Sequence, residues 1–72
     1  MILEVDDNGR LERIAVIGDS TDYAVNGRRF IGGYRLNASG YESVWFDKAV
    51  WDTALISEDE YFKTYRLTRK AS

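Results

Sequence analysis

The side chains with chemical potential in this chain are three carboxylate groupings, one serine at the end of an apolar run, and two sets of basic residues. Asp6/Asp7, Asp19/Asp22 and Glu58/Asp59/Glu60 supply the hard oxygen donors that Mg²⁺ or Ca²⁺ takes. None of the three has the spacing of an acidic calcium-binding loop, so no metal site is expected. Acid–base work by two carboxylates requires that they flank a substrate cleft. A ligand pocket of ~300–1,000 Å³ is hard to fit into so short a chain, because a small domain buries only ~60 % of its unfolded surface. The 72 residues include no His and no Cys. Cys/His zinc sites, disulfides, the commonest general base and the thiol nucleophile are therefore all excluded. The expectation is a non-catalytic chain without a cofactor.

Ile14-Ala15-Val16-Ile17-Gly18-Asp19-Ser20 resembles the first block of the GDS-type SGNH hydrolases, in which an apolar strand delivers a nucleophilic serine at its end. The likeness covers about seven residues and implies Ser20 as that nucleophile. The rest of the family pattern is missing, including the His that serves as base, and a hydroxyl without a base stays protonated at neutral pH. A strand ending in a polar turn accounts for the same residues. Gly32-Gly33 beside Arg28 and Arg29 lacks the strand–loop–helix setting of a phosphate loop, and reads as a bulge or tight bend.

The basic residues fall in two segments, 28–35 and 63–70. The first holds Arg28, Arg29 and Arg35. In the second, Lys63, Arg66 and Lys70 would share one face of a helix, with Arg69 beside them. Interleaved with aromatic rings, these seven residues define a nucleic-acid surface, on which cations neutralise phosphates and rings stack on bases. The net charge of −2 opposes that reading. Charge along the chain is segregated: residues 1–27 carry −4, 28–40 carry +3, 41–60 carry −5 and 61–72 carry +4. Such blocks suit pairing between neighbouring elements.

Two Trp within seven positions, with Phe46 between them, are a heavy apolar load for so small a chain. Trp is enriched where interfaces concentrate their binding energy. The leading expectation is thus a stand-alone module that occupies the surface of a larger protein and so modulates or inhibits it. Trp45, Phe46 and Trp51 would sit at the centre of the contact, with Arg29, Arg35, Arg66 and Lys70 on the rim. Small phage- or plasmid-encoded inhibitors are comparable in size only. Nucleic-acid regulation is the alternative, and a homodimeric structural protein the third reading.

These residues need elements to position them. Asn8-Gly9 and Asn26-Gly27 are strong hairpin signals, since both central positions of a type I′ turn require φ > 0. They set Asp7 against Arg10, Glu4 against Arg13, Leu3 against Ile14, Val25 against Arg28 and Tyr23 against Phe30. A four-residue loop, Asn37-Ala38-Ser39-Gly40, sets Leu36 against Tyr41, Arg35 against Glu42, Gly32 against Trp45 and Gly33 against Val44. One sheet face then carries Tyr23, Val25, Phe30, Tyr34, Leu36, Tyr41 and Trp45, and its ring content makes it the expected core. The other carries Ala24, Arg29, Ile31, Arg35, Glu42, Val44 and Phe46. Ser57 and Glu60 form a capping box that predicts a C-terminal helix with Tyr61, Phe62 and Tyr65 as its apolar stripe. Residues 47–56 suit either a helix capped by Asp47 or a further strand, Ala49-Val50-Trp51, in a hairpin with Val44-Trp45-Phe46 around Asp47-Lys48, and the β-rich composition favours the strand. The predicted fold is α+β: one domain over residues 1–72, a small antiparallel sheet or partly open SH3-like barrel closed by one helix. The acidic start lacks a secretory signal, and no run is long enough to span a bilayer. The cytoplasm is the expected location, with no membrane partner.

Overall fold

A computed structural model describes residues 1–71. Its elements are seven strands: β1 (Ile2–Asp7), β2 (Arg10–Ala15), β3 (Ile17–Val25), β4 (Arg28–Asn37), β5 (Gly40–Asp47), β6 (Trp51–Glu58) and β7 (Lys63–Arg69). They form a four-stranded sheet in the order β2-β1-β7-β6 and a three-stranded sheet in the order β3-β4-β5. The fold is all-β. No helix occurs among the described residues, and so none long and apolar enough to cross a membrane.

The tight turns lie where the Asn-Gly pairs place them. Asn8 and Gly9 have φ of 54° and 91°, and Asn26 and Gly27 of 52° and 75°, the left-handed values that a type I′ turn demands. Every register expected for the first three hairpins is present, from Leu3 opposite Ile14 to Gly32 opposite Trp45. The third connection is tighter than a four-residue loop, since Asn37 and Gly40 are themselves paired across it. Reciprocal hydrogen bonds between the backbones of Met1 and Val16 carry the β1–β2 ladder one pair further.

The expected C-terminal helix is replaced by strand, turn and strand. Ser57 and Glu58 end β6, and Lys63–Arg69 forms β7, paired antiparallel with β6 and parallel with β1. A capping box is a local preference worth about 1 kcal/mol, and the segment that follows contains Thr64, Tyr65 and Thr68, residues that favour strands over helices. Alternation decides the outcome. Tyr65 and Leu67 turn to one side of the sheet with Leu3 and Val5, while Thr64, Arg66 and Thr68 turn to the other with Ile2, Glu4 and Asp6. As an interior strand, β7 pairs the facing edges of β1 and β6, which a surface helix would leave open. Residues 51–58 are strand, in line with the composition. That strand joins β7, however, and makes no hairpin with β5.

Between the sheets lie Leu3, Val5, Ile14, Val16, Ile31 and Leu67, with Met1, Val44, Phe46, Trp51 and Tyr65 packed around them. The face of the three-stranded sheet that meets this core is the one with Ile31, Val44 and Phe46. The core expectation for the opposite face, rich in rings, is therefore reversed. A buried tyrosine hydroxyl needs a hydrogen-bond partner. The ring-rich face carries three tyrosines, whereas Ile31 and Val44 match the aliphatic side chains of the other sheet without any polar atom to satisfy. Gly32 and Gly33 make the middle of β4 fit. A Cβ on Gly32 would overlap the Val44 carbonyl oxygen, and one on Gly33 would lie 2.7 Å from the Ile17 carbonyl oxygen. β3 opposite them gains extra residues at two bulges, between Ile17 and Ser20 and between Ser20 and Tyr23.

Candidate functional site

The outer face of the three-stranded sheet is built by the period-two alternation of its strands. On β4 it presents Phe30, Tyr34 and Leu36; β5 adds Tyr41 and Trp45, and β3 adds Ile17 and Tyr23. Trp45 is the hub. Its ring lies 4.8 Å from that of Tyr23 at a tilt of 38°, and 6.4 Å from that of Tyr34, edge to face at 83°. The rings on either side leave two shallow apolar grooves. One, of about 200 Å³, is lined by Tyr23, Val25, Phe30 and Trp45. The other, of about 340 Å³, is lined by Ile17, Gly18, Tyr34 and Tyr41. Leu36 and Tyr41, opposite each other beside the β4–β5 turn, stand 69 % and 68 % exposed.

Charge on this face is confined to one end. The Arg28 guanidinium donates to Asp47 at 2.5 Å and lies 5.4 Å from the centre of the Phe30 ring. The Ala49 backbone N–H and then Arg28 hold the Asp47 carboxyl below its ordinary value. Behind the face, Arg35 donates to Glu42 at 3.2 Å and Asn37 donates at 2.9 Å, and these contacts likewise lower the Glu42 carboxyl.

The residues expected at a docking surface do not share one patch. Trp45 stands on the ring face. Phe46 and Trp51 meet edge to face at 5.6 Å away from that face, in a cleft of about 390 Å³ between the sheets, lined also by Val5, Asp7, Arg10 and Glu12. Arg69 covers the Trp51 ring at 5.3 Å. Arg66 lies on the outer face of the four-stranded sheet, 2.7 Å from Glu4, and Lys70 lies 4.0 Å from Asp52. Arg29 reaches Asp22 at 2.7 Å, and Arg35 sits between Glu42 and Glu12. With Arg28 on Asp47, Lys63 on Glu58 and Arg69 on Asp7, every basic residue of the two segments has a carboxylate within 4.0 Å. The alternating charge blocks are thus largely spent within the molecule.

Ser20 sits at a bulge of β3, where its Oγ accepts the Asp22 N–H at 3.2 Å, a turn contact without a base. Among the described residues, no three carboxylates converge as a metal site would require. Tyr23, Tyr34, Leu36 and Tyr41 share one face, as the hairpin registers predict, but that face looks outward and not into the expected core. Its tyrosine content was the signal for the opposite choice. Comparison with protein-family models, with curated proteins and with solved structures gives no match to this chain.

Proposed function

We propose that this chain is a non-catalytic protein-binding module that acts, in the cytoplasm, by laying the ring face of β3, β4 and β5 on the surface of a larger protein and so modulating it. The observation that carries this reading is the exposed run of Ile17, Tyr23, Val25, Tyr34, Leu36 and Tyr41 around Trp45. The largest apolar patch on a typical monomeric protein is ~300–600 Å² and is often functional, and these side chains leave an area at the top of that range. Tyr and Trp are also the side chains that give large contact area for little loss of rotamer freedom. Compared with the initial expectation, Trp45 stays in the contact and the tyrosines join it, while Phe46 and Trp51 leave it for the cleft. Nucleic-acid binding has less support, because the cations it would use already face carboxylates and the ring face adds no net positive charge.

The test is affinity capture from the native cell with tagged wild-type chain and with the double variant Leu36→Glu, Tyr41→Glu. The reading expects proteins that the wild type retains and the variant loses. Identical sets of captured proteins would refute it.

A further inference from the structure

The ring face is not only apolar; its two ends fit each other. At the β4–β5 turn, Leu36 and Tyr41 project. At the β3–β4 turn, the groove lined by Tyr23, Val25, Phe30 and Trp45 recedes. Phe30 and Leu36 lie six positions apart along β4, roughly 20 Å at ~3.4 Å per residue. A two-fold axis lying between two such faces and running across the strands reverses strand direction. It brings the projecting end of each copy over the receding end of the other. In an isologous contact, any residue pair formed once is formed twice. Here one projection and one groove per copy suffice to close both ends.

We propose that this face packs against the same face of a second copy of the chain, giving a closed two-fold dimer. The inference rests on the docking role assigned above: a second copy covers the face until a larger protein takes its place. Area supports it. Ile17, Tyr23, Val25, Tyr34, Leu36 and Tyr41 are each at least 41 % exposed. Three of the six are rings of ~150–250 Å² and three are smaller aliphatic side chains; together they leave roughly 600 Å² open per copy, so a fully closed pair buries about 1,200 Å² through them, the lower limit for a stable interface. Charge supports it as well. A self-facing patch that carried net charge would repel its twin, and the charges on this one are Arg28 and Asp47, already joined to each other. Sheets stacked face to face at ~10 Å are an ordinary packing arrangement for strands of this length. A nucleic acid, by contrast, would meet no net positive charge here.

The experiment is sedimentation equilibrium of the whole chain over a wide concentration range. The weight-average mass should rise with concentration from 8.3 kDa toward twice that value. Leu36→Glu and Val25→Glu, one at each end of the face, should each weaken association by ~30-fold or more, because each places a carboxylate in the apolar contact, and does so twice per dimer. Ala54→Glu, on the outer face of the four-stranded sheet, should leave it unchanged; circular dichroism of each variant confirms that it is folded. Wild-type chain that stays at 8.3 kDa throughout overturns the dimer. So does a dimer that survives both ring-face substitutions. A monomer that still captures a protein through Leu36 and Tyr41 removes only the dimer, whereas a monomer whose captures ignore those residues removes the docking role too.

Discussion

On the outer face of the four-stranded sheet, Glu4 lies between Arg13 and Arg66, at 3.7 and 2.7 Å, with Asp6, Thr68 and Asp52 on the same side. On the outer face of the three-stranded sheet, Tyr23, Trp45 and Tyr34 touch in a row, with Leu36 and Tyr41 projecting beyond them. Both sheets turn aliphatic side chains inward, and both meet water on the other side. The first face does so mainly with paired charges and hydroxyls, with Leu11 opposite Asp6 as an exposed apolar side chain. The second leaves rings where solvation favours polar groups. The contrast between two faces of one small molecule separates what folding requires from what folding leaves unexplained, and the ring face belongs to the latter.

That contrast requires both inner faces to be true core. Ile31→Ala should therefore cost ~2–5 kcal/mol in urea unfolding, a large share of the stability available to so small a domain. A loss below about 1 kcal/mol would mean that the three-stranded sheet is not held through Ile31. Next in size is Gly32→Ala. Its new methyl meets the Val44 carbonyl directly beside Trp45, so β4 and β5 must part. A cost of ~1–3 kcal/mol is expected, together with a changed near-ultraviolet circular dichroism signal from the rings. Normal stability with an unaltered ring spectrum would contradict that close approach.

Glu4→Gln probes the charged face. It leaves Arg13 and Arg66 without their shared carboxylate and should cost on the order of 1 kcal/mol. Capture of partners should not change; if it did, the charged face would be a binding surface as well. The smallest effect concerns pH. Glu42 and Asp47 have carboxyl pKa values lowered in the fold from ordinary values of 4.5 and 3.8. Their contribution to stability is thus fully present above those ordinary values and is lost as pH falls through the lower folded ones. Melting temperatures of wild type and Asp47→Asn should differ at neutral pH and converge in acid. A difference that grows on acidification would reverse the assigned direction.

The turns were legible because they are local. Asn-Gly supplies positive φ at two successive residues, and charge matching across Asp7/Arg10 and Glu4/Arg13 selects one register from its neighbours. The C-terminal strand was not legible from Ser57 and Glu60. Its partners β1 and β6 lie far away in sequence, and only the alternation of Tyr65 and Leu67 with Thr64, Arg66 and Thr68 records that it is interior to a sheet. The membership of the ring face was read correctly from hairpin register, but its orientation was not. Orientation depends on what the second sheet offers, and the second sheet was hidden by the expectation of a helix. The docking residues scattered for the same reason: Arg66 and Lys70 were placed by helical spacing, and a strand sends them elsewhere.

The most direct measurement is urea unfolding, followed by circular dichroism, of the Leu36→Glu, Tyr41→Glu double variant at concentrations too dilute for self-association. If the rings of β3, β4 and β5 stand outside the core, two carboxylates placed among them will leave a cooperative transition within about 1 kcal/mol of the wild-type value. If those rings are the core after all, the same two charges will have no water to face, and the variant will not fold.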